Sequence, residues 1–161
     1  MDISINVDNY RLNVRAAALI IHNNKLLVHK NDNEDFYAIL GGRIQIGENS
    51  QETLKREILE EMGKEIEIKG YAATIENFFT FNGKNNHEYM FVYNADFKDE
   101  NDKKILDMIN NVEGNDYLHY EWIDLDKIDS YNILPKIMKD VLKSNVFPVH
   151  KINDDLNSFY N

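Results

Sequence analysis

The segment Gly42-Arg-Ile-Gln-Ile-Gly-Glu48, followed after seven residues by Arg56-Glu57-Ile58-Leu59-Glu60-Glu61-Met62-Gly63, decides how this chain folds. The second run predicts a helix, because Leu54 and the apolar residues four and eight positions after it form one buried stripe. Asn49 or Ser50 can cap the start, and the glycine that closes the second run is typical of a residue just past a helix end. A capped helix therefore follows a glycine-bounded turn.

Three carboxylates of this helix share one face beside the buried stripe. With about 100° between successive residues, Glu61 lies about 40° to one side of Glu57 and Glu60 about 60° to the other. Like charges one turn apart repel, and partial burial increases the repulsion. A cation removes this conflict, since Mg²⁺ prefers oxygen ligands and keeps positions for water and phosphate. A Glu-x-x-Glu-Glu run by itself would instead favour a solvated, charge-rich face.

The composition is that of an acidic globular chain without cysteine. The 161 residues suit one domain, and 18 Lys and Arg against 28 Asp and Glu give a formal charge of −10. Such a surface repels a phosphate backbone, so bulk nucleic-acid binding is not expected. The longest apolar run, Ala16–Ile21, is too short to span a bilayer, and no signal peptide is recognisable. The lack of cysteine excludes disulfides and thiol nucleophiles and fits a cytoplasmic protein.

Strand and helix signals alternate along the chain. Apolar runs and period-two patterns predict strands at residues 13–22, 25–28, 36–40, 71–81, 89–93 and 119–123. The first of these is largely apolar, at Val14 and at residues 16–21, which is typical of a central strand buried on both faces. We therefore expect an α/β (α+β) fold, with a mixed sheet covered by helices in one domain.

The remaining segments are less regular. Lys98 to Asn115 is a charged insertion in which Ile105 to Ile109 can form a short helix. A last helix is predicted from Pro135, a residue that suits the first helical position. After Ser144 the chain either packs back through its apolar residues or frays.

The complete spacing resembles the Nudix box, here residues 42–64: Gly42, five residues, Glu48, seven residues, Arg56-Glu57, an aliphatic residue, any residue, Glu60-Glu61, any residue and Gly63. From residue frequencies, a chance match in a chain of this length is on the order of 10⁻⁷. Two positions depart from the family pattern, since Leu40 stands where relatives usually have Pro and Lys64 where they usually have an aliphatic residue. Neither departure removes a carboxylate.

The resemblance implies the Nudix fold, a mixed β-sheet sandwiched between helices in a single domain. We expect this domain to span residues 1–161, with a motif-bearing core at about 10–145 and a C-terminal extension at 145–161. The family's first hairpin, its strand into a Gly-Gly turn, its last strand and its closing helix all have counterparts in this core.

The resemblance to MutT-like Nudix hydrolases also implies a reaction. It is the Mg²⁺- or Mn²⁺-dependent hydrolysis of the pyrophosphate bond in a nucleoside diphosphate linked to another group, by water attack at phosphorus. Glu57 and Glu61 are then the first metal ligands, and Glu60 is the next. Glu57 is alternatively the base that deprotonates the attacking water, because family members differ in this role.

Three further residues of the box receive roles from the same resemblance. Arg56 orients Glu57, and Glu48 either pairs with Arg56 or holds a metal-bound water. The Gly42 carbonyl is a further metal ligand, since the lack of a side chain permits close approach.

Residues outside the box are candidates for substrate binding or for an additional acid. Arg15 interrupts an apolar strand, so it forms either a structural salt bridge or a phosphate contact. Some relatives use another acid outside the box, and Glu121, Glu88 and Glu113 are the candidates here. Aromatic residues that can either stack on a base or fill the core are Phe78, Phe79, Tyr89 and Phe91.

Two other classes of protein remain open at this point. A non-catalytic nucleotide-binding or regulatory module on the Nudix fold would bind the same small-molecule partner without hydrolysis. A structural protein with an acidic helix would show no effect of Mg²⁺ on its melting temperature. The sequence does not name the nucleotide, and it leaves open whether the chain forms a homodimer.

Overall fold

The computed structural model describes residues 1–104 and 118–160, which form one mixed sheet with helices on both faces. The strands are β1 Ser4–Val7, β2 Tyr10–His22, β3 Lys25–Asn31, β4 Tyr37–Arg43, β5 Ile66–Phe81, β6 Lys84–Phe97, β7 Leu118–Asp124, β8 Ile133–Leu134 and β9 Val149–Tyr160. The α-helices are α1 Ser50–Met62 and α2 Met138–Leu142, with short 3₁₀ segments at Asp102–Lys104 and Leu125–Ser130. The expected α+β fold is confirmed.

The strand order β7-β3-β4-β2-β6-β5-β9 places β2 at the centre of the sheet, with β1 also pairing β2 and β8 pairing β4. Strand β2 is antiparallel to β4 and parallel to β6. Its residues 16–20 are all buried, because helices cover both faces of the sheet here. The predicted central strand is confirmed.

Alternation along the strands sorts the apolar side chains into two cores. Ala16, Ala18 and Ile20 of β2 face α1, whereas Ala17 and Leu19 face α2. The core on the α1 side also contains Leu27, Leu40, Leu54, Ile58, Tyr120 and Trp122. The core on the α2 side also contains Val28, Ile39, Ile75, Ile123, Met138 and Val141. Each helix is therefore fixed to the sheet by its own apolar stripe.

The final helix does not begin near Pro135 as predicted. It begins at Met138, because Ile133–Leu134 continue as β8 and pair with Tyr37 and Ala38 of β4. A residue that precedes proline is disfavoured in helical geometry, which keeps this segment extended.

The residues after Ser144 do not fray, and one of them, Val149, packs against the core on the α2 side. They form β9, which pairs with β5 in parallel, while Val146, Phe147 and Ile152 stay exposed. The helix predicted around residues 105–109 lies outside the described residues.

Within the described part of the chain, no helix is long and apolar enough to cross a membrane.

Candidate active site

Helix α1 has the caps that its sequence predicted. Asn49 Oδ1 accepts hydrogen bonds from the backbone N–H groups of Gln51 and Glu52, at 3.1 and 3.0 Å. Glu52 Oε2 in turn accepts from the Asn49 N–H at 3.0 Å, which completes a capping box. Gly63 ends the helix in the left-handed region, with φ of 65°. These caps fix the orientation of the acidic face.

Arg56 is the centre of a charged network on this helix. Its guanidinium holds Glu48 by two hydrogen bonds, Nε to Oε1 at 2.8 Å and Nη2 to Oε2 at 2.9 Å. Its Nη1 also donates to Glu57 Oε1 at 2.6 Å and to Glu60 Oε2 at 3.2 Å. One planar cation thus fixes the positions of three carboxylates, and the fork geometry makes the Glu48 pair the most directional.

Glu48 is stabilised as a carboxylate by several donors. Besides Arg56, Thr53 Oγ1 donates to Glu48 Oε2 at 2.8 Å and the Gln45 N–H donates at 3.4 Å. The hydrogen bonds from Arg56, with smaller help from Thr53 and Gln45, lower the pKa of Glu48 to about 2. Glu48 is therefore ionised at neutral pH and keeps Arg56 in place rather than exchanging protons.

Glu57 lies directly over Gly42. A Cβ atom added to Gly42 would overlap the Glu57 carboxyl group, so only glycine leaves room for it there. The Glu57 side chain is 18% exposed, because it is covered by the strand and by Arg56. The sheet and the helix therefore meet at this carboxylate.

Glu61, one turn further along α1, faces the Tyr120 side of the site. Burial and then the charge of Glu57 raise the pKa of Glu61 to about 7, while Arg15 and the Tyr120 hydroxyl act in the opposite direction. The Tyr120 hydroxyl approaches Glu61 without reaching ordinary hydrogen-bond geometry. The negative charge of Glu57 disfavours ionisation of Glu61, and a cation bound between them would relieve this repulsion.

The donors fit a divalent cation of the magnesium type. Among residues 1–104 and 118–160, no three acidic or histidine side chains converge on one point, and Glu60 is 61% exposed and held by Arg56. The pair that remains is Glu57 with Glu61, beside Gly42, whose lack of a side chain makes room for the Glu57 carboxyl group. Mg²⁺ is commonly bound by one or two carboxylates, completed by water and substrate phosphates, so this pair is sufficient.

A cavity of about 310 Å³ lies where β4 changes partner, from β3 at Ala38–Ile39 to β2 at Leu40–Arg43. Three arginines from two strands line it: Arg11, Arg15 and Arg43. Three phenylalanines also line it: Phe36, Phe79 and Phe81. The rest of the lining includes five buried polar residues: Asn13, Asn77, Asn86, Glu88 and Asn153. The cavity thus combines positive charge, aromatic surface and buried amides.

Of the candidates outside the box, Arg15 and Glu88 both line this cavity. Arg15 Nη2 donates to the Gly41 carbonyl at 3.4 Å, and its Nε is buried without a hydrogen-bond partner in the described chain. Arg15 therefore connects the cavity to the Gly41-Gly42 turn below Glu57, and its charge opposes the rise in the pKa of Glu61.

Glu121 is not brought to the acids of α1. Its neighbours Tyr120 and Trp122 belong to the core on the α1 side, so the alternation of β7 directs Glu121 to the other face. There its Oε2 accepts a hydrogen bond from the Tyr37 hydroxyl at 2.8 Å. Glu113, the remaining candidate, lies outside the described residues.

Comparison with known proteins agrees with this geometry. The model of the NUDIX domain matches residues 12–144. The chain belongs to the NUDIX family. Members of this family generally hydrolyse pyrophosphate linkages in derivatives of nucleoside diphosphates.

Several solved Nudix structures share the fold. A UDP-X diphosphatase aligns with a TM-score of 0.61 and 17% identity. The alignment covers 87% of this chain and 66% of the diphosphatase, so this chain spans just under two thirds of that protein. A MutT Nudix hydrolase from Burkholderia pseudomallei aligns at 0.61 with 21% identity, covering 84% of this chain and 98% of that one. An ADP-ribose pyrophosphatase from Streptococcus suis aligns at 0.58 with 11% identity, covering 86% and 98%. No curated protein matches the sequence significantly.

The Nudix box did not indicate the asparagines of the cavity. Of the four aromatic residues considered for base stacking, Phe79 lines the cavity, whereas Phe91 packs against the core on the α1 side. Asparagine is disfavoured in strands, so Asn77 and Asn13 within strand patterns were a usable signal. The signal does not say which asparagines meet, because that depends on strand order.

Proposed function

We propose that this Nudix protein hydrolyses the pyrophosphate bond of a nucleoside diphosphate linked to another group, with Mg²⁺ or Mn²⁺ as cofactor and water as the attacking group. The observation that carries the proposal is the placement of Glu57 over Gly42, with Glu61 one turn away and Arg56 fixing the carboxylate. The names of two fold relatives, a UDP-X diphosphatase and an ADP-ribose pyrophosphatase, belong to the same class of reaction.

Each acid of the box receives a role in this proposal. Glu57 and Glu61 hold the cation, and the Gly42 carbonyl is a further ligand beside them. Glu60 is exposed and supplies negative charge at the rim. When bound, the cation would neutralise phosphate charge and lower the pKa of a bound water.

The other residues position these groups. Arg56, locked by Glu48, keeps the Glu57 carboxylate in one rotamer. This suits Glu57 as a metal ligand or, alternatively, as the base that deprotonates the attacking water. Arg15, with its Nε unpartnered among the described residues, is placed to contact a substrate phosphate. In-line phosphoryl transfer depends mainly on such positioning and charge neutralisation.

The test compares Glu57→Gln with a matched control, Glu65→Gln. Glu65 is an exposed carboxylate just beyond α1, with a surface ion pair to Lys98. Hydrolysis of a panel of nucleotide sugars, ADP-ribose and dinucleoside polyphosphates is measured with and without Mg²⁺. Glu57→Gln should lower turnover by a factor on the order of 10²–10⁴, as loss of a metal ligand or base does, without changing the melting temperature.

Mass spectrometry of products formed in ¹⁸O water identifies the attacked phosphorus. Unchanged turnover in Glu57→Gln, or equal loss in Glu65→Gln, would contradict the proposal. Metal-dependent binding without hydrolysis of any substrate in the panel would indicate the non-catalytic module instead.

A further inference from the structure

The C-terminal strand β9 contributes to the cavity although it lies beyond the segment that defines the family. The family match ends at residue 144, whereas β9 covers Val149–Tyr160 and pairs with β5. Within this pairing Asn153 stands opposite Asn77 and lines the cavity with it. A part of the cavity lining is thus contributed by a segment outside the family match.

Three buried residues form a chain of hydrogen bonds that starts on β9. Asn153 Nδ2 donates to Asn77 Oδ1 at 2.9 Å, and Asn77 Nδ2 donates to Glu88 Oε1 at 3.3 Å. Asn153 Nδ2 also donates to Asp155 Oδ2 at 3.1 Å. Asn153, Asn77 and Glu88 are only 8%, 5% and 4% exposed. Because Asn153 occupies the Asn77 carbonyl, the Asn77 amide N–H must point at Glu88.

Glu88 is left with unused acceptor capacity. Its carboxylate has this one hydrogen bond and no ion pair among the described residues. The second oxygen, Oε2, has no hydrogen bond among the described residues and is not fully buried. Because Glu88 lines the cavity, this oxygen is accessible from the cavity. A carboxylate accepts up to about four hydrogen bonds, and a buried one without donors is costly. The structure therefore points to a ligand that brings N–H or O–H groups.

We propose that the cavity binds a purine base of the guanine type, with Glu88 accepting from its ring N–H and the adjacent amino group. The inference deepens the proposed function and rests on it, since this base belongs to the nucleotide to be cleaved. Phe79 and Phe81 supply aromatic surface for the ring. Arg15 lines the same cavity as Glu88 and donates to the Gly41 carbonyl, next to the glycine that Glu57 covers. A base near Glu88 would therefore direct its phosphates past Arg15 toward Glu57.

The chemistry of the other bases explains the preference. The guanine edge presents two neighbouring N–H donors, which a single carboxylate can accept together. Adenine and cytosine place a ring acceptor beside their amino group, and uracil places carbonyls on both sides of its N–H. Each of these would set a lone pair against Glu88, and sites that hydrogen-bond a specific group discriminate strongly against analogues that lack it.

Asn153 is a positioning residue in this proposal. It contacts Asn77 and not the base, and it keeps the Asn77 amide turned toward Glu88 Oε1. Its replacement should therefore change the preference among bases more than the affinity for the phosphate portion.

The test measures binding of GMP, AMP, CMP and UMP to the full chain by calorimetry, without metal. The variants are Glu88→Gln, Asn153→Ala and the control Ile152→Ala, whose side chain is exposed on the same strand. Wild type should bind GMP about 5- to 150-fold more tightly than the other nucleotides, the range for one bidentate base contact. Glu88→Gln should abolish this preference, Asn153→Ala should reduce it, and Ile152→Ala should keep it.

Melting temperatures are measured first, and if Glu88→Gln does not fold, the comparison of Asn153→Ala with Ile152→Ala decides. Equal binding of the four nucleotides by wild type, or an undiminished preference in Glu88→Gln and Asn153→Ala, overturns the inference. Hydrolysis without base preference would remove the inference and leave the proposed function. Selective GMP binding without hydrolysis of any substrate would support the guanine site and contradict the proposed hydrolase function.

Discussion

Glu57 on α1 and Glu88 on β6 are both withdrawn from solvent, but their surroundings differ. Glu57 is held by the Arg56 guanidinium at 2.6 Å and lies beside other carboxylates. Glu88 is held by an amide, from Asn77 at 3.3 Å, and has no cationic partner among the described residues. The first environment is suited to a divalent cation and phosphates, and the second to neutral hydrogen-bond donors. The same side-chain type can therefore serve two kinds of ligand chemistry in one protein.

The strongest test of this difference is Gly42→Ala. The new methyl group would overlap the flexible end of Glu57 and displace it, while the Gly42 backbone needs no left-handed geometry. Turnover should fall by about 10²-fold, because displacement of a reacting group by about 1 Å has effects of this size. The melting temperature and the binding of GMP at the Glu88 cavity should change little. Steady-state kinetics and calorimetry measure both.

Gly41→Ala is the neighbouring control for this prediction. Gly41 has φ of +144°, and a Cβ there would overlap the backbone carbonyl of Ala16. Backbone cannot move aside as a side chain does, so this variant should lose about 3 kcal/mol or more of unfolding free energy. If Gly42→Ala instead loses as much unfolding free energy as Gly41→Ala, the glycine at position 42 is required for packing and not for placing Glu57.

His29 lies between the two regions, since it lines the cavity and stacks on Tyr120. Burial, and then the charge of Arg15, lower its pKa to about 4 from 6.5, although the Ile39 backbone acts against this shift. The unfolded chain therefore binds the proton first as the pH falls below 6.5. Stability is retained above pH 6.5 and lost between pH 6.5 and 4, by about 3 kcal/mol, because both ring nitrogens are buried.

Urea unfolding of wild type and His29→Gln at pH 7 and pH 4 measures this loss. The variant does not titrate at this position, so its stability should fall less over the same interval. If the unfolding free energy falls equally in the two proteins between pH 7 and pH 4, the His29 ring is solvated and the prediction is wrong.

Glu48→Gln removes the ion pair with Arg56 and should lower the unfolding free energy. Glutamine cannot pair as a carboxylate with Arg56, so we expect a loss of about 1–2 kcal/mol at pH 7, after allowance for solvent screening. The folded pKa of Glu48 is lowered to about 2, so its contribution is present above pH 4.5 and lost as the pH falls toward 2. Denaturation at pH 7 and pH 3 tests this, and exposed Glu60→Gln should change stability by less than about 0.5 kcal/mol.

The smallest expected effect is the shift in melting temperature with Mg²⁺. At five times the dissociation constant, binding to the native state contributes about 1 kcal/mol, or about 2–4 °C for a chain of this length. Glu57→Gln should remove the shift, and Glu88→Gln should keep it. A shift that depends on Glu88 would mean that the cation binds in the cavity, and the contrast between the two carboxylates would fail.

Local sequence was sufficient for the box and for its helix. The capping box at Asn49, the glycine end at Gly63 and the stripe of Leu54 and Ile58 involve residues within a few turns of each other. Their interactions are set by helix geometry and do not depend on the rest of the chain. The side on which Glu57, Glu60 and Glu61 lie was therefore predictable.

The place of single acids outside the box was not predictable in the same way. Glu121 and Tyr120 are adjacent in sequence, yet the alternation of β7 sends only Tyr120 toward α1. Which face of a strand is which depends on its register with neighbours, and a shift of one residue would exchange the two.

By itself, the sequence determined a capped acidic helix after a glycine turn and a central apolar strand, because both depend on periodicity. Only the tertiary structure decided that Asn153 of β9 meets Asn77 and, through it, Glu88. Asn77 and Asn153 are 76 residues apart in the chain and become neighbours through parallel pairing. Such pairing is specified by the whole sheet, whose register no local pattern encodes.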